Sequence, residues 1–122
     1  MDFRTRKKYG SMLLVRELRQ NEQDDLKNYL RMSGPIFDEL LSLLFQDLKK
    51  QDTVMRESIP PEERLIATLR YLATGQSYES LKFSTGIAPQ TLGYIISETC
   101  MAICRNLKNY IQVSTYINYA FI

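Results

Sequence analysis

The sequence predicts an all-α chain, folded as a small orthogonal helical bundle that contains a helix-turn-helix, and three observations carry that prediction. Apolar residues recur at helical spacing in several separate windows. Helix-starting and helix-stopping residues flank those windows, and no segment alternates apolar and polar residues before a turn and a second such segment. With 122 residues, 44% of them hydrophobic, the chain can bury one modest core as one folded domain.

Residues 1–20 read as a basic flexible arm. Arg4, Arg6, Lys7, Lys8, Arg16 and Arg19 stand there against Asp2 and Glu17, a density of positive charge suited to a phosphate backbone. Residues 21–112 read as the helical domain. Its first helix is expected over 21–31, with Asn21 as cap, Glu22, Asp24 and Asp25 in the positive first turn, and Leu26, Tyr29 and Leu30 as the apolar edge. A longer helix follows over 33–50, where Ile36, Phe37, Leu40, Leu41, Leu44, Phe45 and Leu48 form the main core stripe. Pro35 is tolerated in its first turn, and Asp38 and Glu39 near the start oppose the dipole as Lys49 and Lys50 do at the end.

The stretch 51–60 lacks a period and is expected to connect. Pro61 then opens a third strong helix, with Glu62 and Glu63 at its positive end, Leu65, Ile66, Leu69, Leu72 and Ala73 as the buried stripe, and Gly75 as the C-terminal cap. Ser77 is placed to cap a short helix carrying Tyr78, Leu81 and Lys82, Gly86 suits a turn, and Pro89 starts a long helix. On that long helix Leu92, Ile95, Ile96, Thr99 and Ile103 share one face, which leaves Gln90, Gly93, Tyr94 and Ser97 pointing away from it. Residues 113–122, VSTYINYAFI, form an uncharged tail with no element to complete it.

The short helix, turn and long helix between Ser77 and Leu107 point to binding rather than chemistry. A formal charge of +2 is too small to announce a nucleic-acid binder, so the argument rests on where the charges lie. Cys100 and Cys104, the only cysteines in a chain without histidine, lack two of the four ligands zinc requires and read as small core residues of a reducing compartment. No apolar run reaches the roughly 20 residues a membrane span needs.

The blocks YLRMSGPIFDELLSLL at Tyr29 to Leu44, QDT at Gln51 to Thr53, and IPPEERLIATLRYLATGQSYESLKFSTGIAPQTLGYIISETCMAI from Ile59 to Ile103 occur in this order along the chain. In that series, residues 26–111 resemble the N-terminal region of the PIF/Harbinger transposases and the Harbinger transposase-derived nucleases. The resemblance implies a helical, helix-turn-helix-like domain that precedes an RNase H-like nuclease, and a nuclear protein with shuttling to the cytoplasm as an option. It also implies that the chain is truncated before the metal-dependent nuclease domain, with the tail a truncation or gene-model artefact.

The family's acidic, metal-holding residues have no counterparts here, so a divalent metal is expected only in a full-length relative, and neither cofactor nor catalytic residue is assigned. Metal-assisted phosphodiester cleavage needs carboxylates that converge on two cations. The adjacent pairs Asp24 with Asp25, Asp38 with Glu39, and Glu62 with Glu63 diverge around their helices and read as capping charges. A second departure is that many family members carry arginine or lysine near the start of the long helix, where this chain has Pro89 and Tyr94.

Two binding readings follow. In the first the partner is double-stranded DNA, with Gln90, Tyr94, Ser97 and Arg105 on the contact helix and Lys82, Arg4, Arg6, Lys7 and Lys8 on phosphates. In the second the same region docks the Myb-like DNA-binding partner that the resemblance implies, or a second copy of itself as a homodimer. Tyr94 then serves as an aromatic anchor.

Overall fold

The computed structural model describes residues 10–49 and 59–108. Six α-helices account for most of them: α1 Gly10–Asn21, α2 Gln23–Leu30, α3 Gly34–Leu48, α4 Pro61–Thr74, α5 Tyr78–Thr85 and α6 Pro89–Asn106. No strand occurs among the described residues, so the fold is an all-α bundle.

Helix α4 is the centre of the bundle and packs against all five others. It can do so because two of its faces are apolar. Leu65, Ile66 and Leu69 join Met12, Val15, Leu26, Leu30, Phe37, Leu44, Leu48 and Ala102 in one core cluster. Ala67 joins Leu81, Ile87, Leu92, Ile95 and Ile96 in the second, which holds α5 and α6 together. Phe37 is the largest fully buried side chain, so Phe37→Ala removes about 3–5 kcal/mol of packing by the usual cost of large core truncations.

Local signals explain most helix ends. Ser77 has extended backbone angles and its hydroxyl accepts from the Ser80 N–H at 3.2 Å. Gly75 and Gly86 end their helices at φ 67° and 73°, the left-handed region in which a side chain is disfavoured. Pro61 and Pro89 occupy first-turn positions, as expected.

Four expectations are corrected. Residues 10–20, assigned to a flexible arm, form α1, whose Ser11, Met12 and Val15 are buried. The Ser11 hydroxyl donates to the Ser84 carbonyl oxygen at 3.0 Å, fastening α1 to α5. Arg16 and Arg19 lie on this helix and pair with Glu62 and Asp38 of the bundle at 3.7 and 2.8 Å. Positive charge masked the helical spacing of the apolar residues in this segment. Second, Asn21 ends α1, and Glu22 takes the cap position of α2 without a side-chain cap bond. Glu22 also has its carboxyl pushed above the ordinary value, first by the hydrogen bond and charge of Asp25, then by burial and Glu17.

The third correction concerns helix faces. Ile36, Phe45 and Leu72 are 55%, 40% and 59% exposed, because each periodic stripe was wider than the surface its neighbours cover. Fourth, the half-buried Cys100 and exposed Cys104 do not form a core pair, whereas Glu63 keeps its expected place in the first turn of α4 and is buried there. The expected connector overlaps residues 50–58, which with Arg4, Arg6, Lys7, Lys8 and the tail lie outside the described residues.

Candidate binding interface

A buried threonine builds the turn between α5 and α6. The Thr85 hydroxyl donates to the Leu81 carbonyl oxygen at 2.8 Å and accepts from the Ile87 N–H at 3.2 Å. The Gly86 N–H donates to the Lys82 carbonyl oxygen at 2.8 Å, and Ile87 inserts into the core at 5% exposure. The three residues 86–88 are thereby tied to both helices, and α6 leaves the turn in a set direction. Sequence reasoning identified Gly86 and Pro89 but missed Thr85; a hydroxyl one residue before a left-handed glycine was the available signal.

Tyr78 completes the support. Its ring lies 5.3 Å from that of Tyr71, and an ideal Cβ on Gly93 would stand 3.4 Å from its Cε2. Gly93, expected on the open face, is instead half-buried under Tyr78, where its lack of a side chain admits the ring. Burial, then the Tyr71 and Cys100 side chains, push the Tyr78 hydroxyl above its ordinary value. Arg64 braces α4 to α6: its Nε donates to the Ile59 carbonyl oxygen at 2.8 Å, and a guanidinium nitrogen lies 3.7 Å from Glu98. Partial burial lowers the Arg64 pKa, with Glu98 opposing that shift.

With those contacts in place, α6 presents one continuous exposed stripe. Gln90, Tyr94, Ser97, Met101 and Arg105 follow at steps of four, three, four and four, so they share one helix face, and all five are exposed. Tyr94 is 76% exposed and Met101 63%. Met101 was missed, though it falls in the register of the residues that were singled out.

The expected cations stand at the margins of this stripe. Lys82 on α5 lies 3.6 Å from Glu79 and 5.2 Å from the centre of the Phe83 ring. Arg105 lies 3.8 Å from Asp47 of α3, whose carboxylate also accepts from Asn106 at 2.6 Å. Both ion pairs are exposed and of the kind worth about 1 kcal/mol or less. The stripe from Gln90 to Met101 carries no charge. It offers a carboxamide, a phenol and a hydroxyl as hydrogen-bonding groups, and a ring and a thioether as apolar ones.

A cleft of about 370 Å³ lies elsewhere, between α1, α2 and the start of α3, and is lined in part by Arg19, Asp24, Lys27, Gly34 and Asp38. Its two cations and two carboxylates balance, and Arg19 is paired to Asp38. Among the described residues no group of three Asp, Glu, Cys or His side chains is arranged to hold a metal ion, and no helix is long and apolar enough to cross a membrane. In comparison with known proteins, no family model, curated protein or solved structure matches the chain.

Proposed function

We propose that this chain is the non-catalytic, DNA-binding helical portion of a Harbinger transposase-derived nuclease, acting in the nucleus through the open face of α6. The observation that carries the reading is the alignment of Gln90, Tyr94 and Ser97 on one exposed helix face directly after a hydrogen-bonded three-residue turn. A helix held in that manner is able to enter a major groove with its first turns against base edges. Gln90 supplies a base-reading carboxamide, Tyr94 and Ser97 donate to phosphates, and Lys82 and Arg105 exchange their weak surface partners for the DNA backbone. The family assignment rests on the ordered sequence blocks.

Fluorescence-anisotropy titration of the full chain against duplex DNA at low and near-physiological salt tests this function. The expected result is binding that weakens with salt and is reduced about tenfold or more in the Gln90→Ala/Tyr94→Ala double variant. Unchanged affinity in the double variant rejects this face.

The second reading is docking of a Myb-like protein or of a second copy of the chain, and a specific observation favours it. The middle of the stripe is uncharged, and Tyr94 and Met101 are the exposed large hydrophobic side chains of α6. Aromatic and methionine side chains in such a setting are favoured anchors at protein interfaces. Absence of DNA binding at low salt, with a dimer in sedimentation that Tyr94→Asp dissociates, selects the homodimer.

A further inference from the structure

We infer that the last two turns of α6 carry a soft-metal site, in which Cys100 and Cys104 hold a Cu(I) ion through their sulfurs and Met101 supplies a thioether as the third ligand. The site does not depend on what the open face of α6 binds.

The three sulfur side chains fall on one patch of the helix. Cys100 and Cys104 are four residues apart and Met101 and Cys104 three, the two spacings that make neighbours on a helix surface. Helical side chains lean towards the N-terminus, so Cys104 stands over the turn that carries the other two. Cys100 is half-buried against the second core cluster, which fixes one ligand, while Cys104 and Met101 are exposed and leave an ion a route from solvent. Burial first and Cys104 second push the Cys100 thiol above its ordinary value, as happens when two thiols stand close together.

The helical spacing suits a bridging ion better than a disulfide. Cβ atoms four residues apart on a helix are separated by about 5–6 Å, whereas a disulfide needs roughly 3.5–4.5 Å, so the two cysteines are not joined directly while α6 stays wound. An ion between them spans the gap, because two metal–sulfur bonds of roughly 2.3 Å each hold the sulfurs up to about 4.6 Å apart.

The ligands select the ion. Structural zinc takes four, and among the described residues no third Cys, His, Asp or Glu joins the pair. Cu(I) is soft, is satisfied by two or three ligands, and favours thiolate and thioether sulfur, which is the set present here. Binding forms two copper–thiolate bonds and releases both thiol protons to the buffer, with copper and sulfur unchanged in oxidation state.

The full chain, kept reduced with ascorbate and without oxygen, is titrated with Cu(I) held by the coloured chelator bicinchoninate, and loss of colour measures transfer to the protein. The expected result is one Cu(I) per chain, with sedimentation unchanged on binding. Cys104→Ser and Cys100→Ser are each expected to weaken binding about a hundredfold or more, and Met101→Leu about tenfold. Because Cys104 and Met101 are exposed, circular dichroism of their variants is expected to match the parent.

No transfer from the chelator overturns the inference. One Cu(I) per two chains, with a dimer in sedimentation, also overturns it, because the ion then bridges exposed thiols of separate copies. Full affinity in either cysteine variant rejects the paired site, and full affinity in Met101→Leu rejects the thioether ligand.

Discussion

The guanidinium of Arg70 sits 4.0 Å from the centre of the Tyr29 ring while its Nη1 donates to the Tyr29 carbonyl oxygen at 2.8 Å. Arg70 belongs to α4 and Tyr29 to the last turn of α2, so one side chain both stacks on an aromatic face and satisfies a carbonyl at the negative end of a helix. Arg70→Ala is expected to lower the unfolding free energy by about 2 kcal/mol, combining a charged hydrogen bond with a cation–π contact. Arg70→Lys should recover only part of it, because an ammonium lacks the planar stacking surface. Urea-unfolding midpoints measure both, and an unchanged midpoint in Arg70→Ala means that the pair adds nothing net.

Arg31 ends α2 at φ 63° and is the only non-glycine residue with positive φ among the described residues. A side chain in that region crowds the following carbonyl, a cost glycine avoids. Part of the relief is offset by the greater freedom of glycine in the unfolded chain. Arg31→Gly is therefore expected to stabilise the protein by about 0.5 kcal/mol, or roughly 3 °C in Tm. A lower Tm would show that the arginine side chain contributes more than its backbone strain costs.

The two thiols should react at different rates. Burial, and next the neighbouring Cys104, push the Cys100 thiol above its usual value, whereas Cys104 is exposed. Because the thiolate is the reactive form, a disulfide reagent at pH 8 is expected to modify one thiol quickly and the other slowly. Cys104→Ser should remove the fast phase and Cys100→Ser the slow one. Equal rates in the two single variants would contradict the burial of Cys100.

Several helices were legible because their signals are local. Ser77 capping α5, Gly75 and Gly86 ending α4 and α5, and Pro61 and Pro89 opening α4 and α6 depend on bonds or steric limits within a few residues. The exposed face of α6 was legible for the same reason: with Leu92, Ile95 and Ile96 buried, a period of 3.6 turns Gln90, Tyr94 and Ser97 outward. Helix α1 was not, because its arginines drew the reading towards an arm while Met12 and Val15 reveal their role only when α4 lies against them.

From the sequence alone came the all-α class, the order of the helices from α2 to α6, and the register of the α6 stripe, all products of short-range backbone bonding and periodicity. Tertiary structure decided which part of each apolar stripe is covered. It leaves Ile36 and Leu72 in solvent, buries Glu63, slides Gly93 beneath Tyr78 and directs Arg105 to Asp47. The physical reason is that burial and ion pairing depend on the surface a neighbouring helix brings, and residues on separate helices meet only when the bundle has closed.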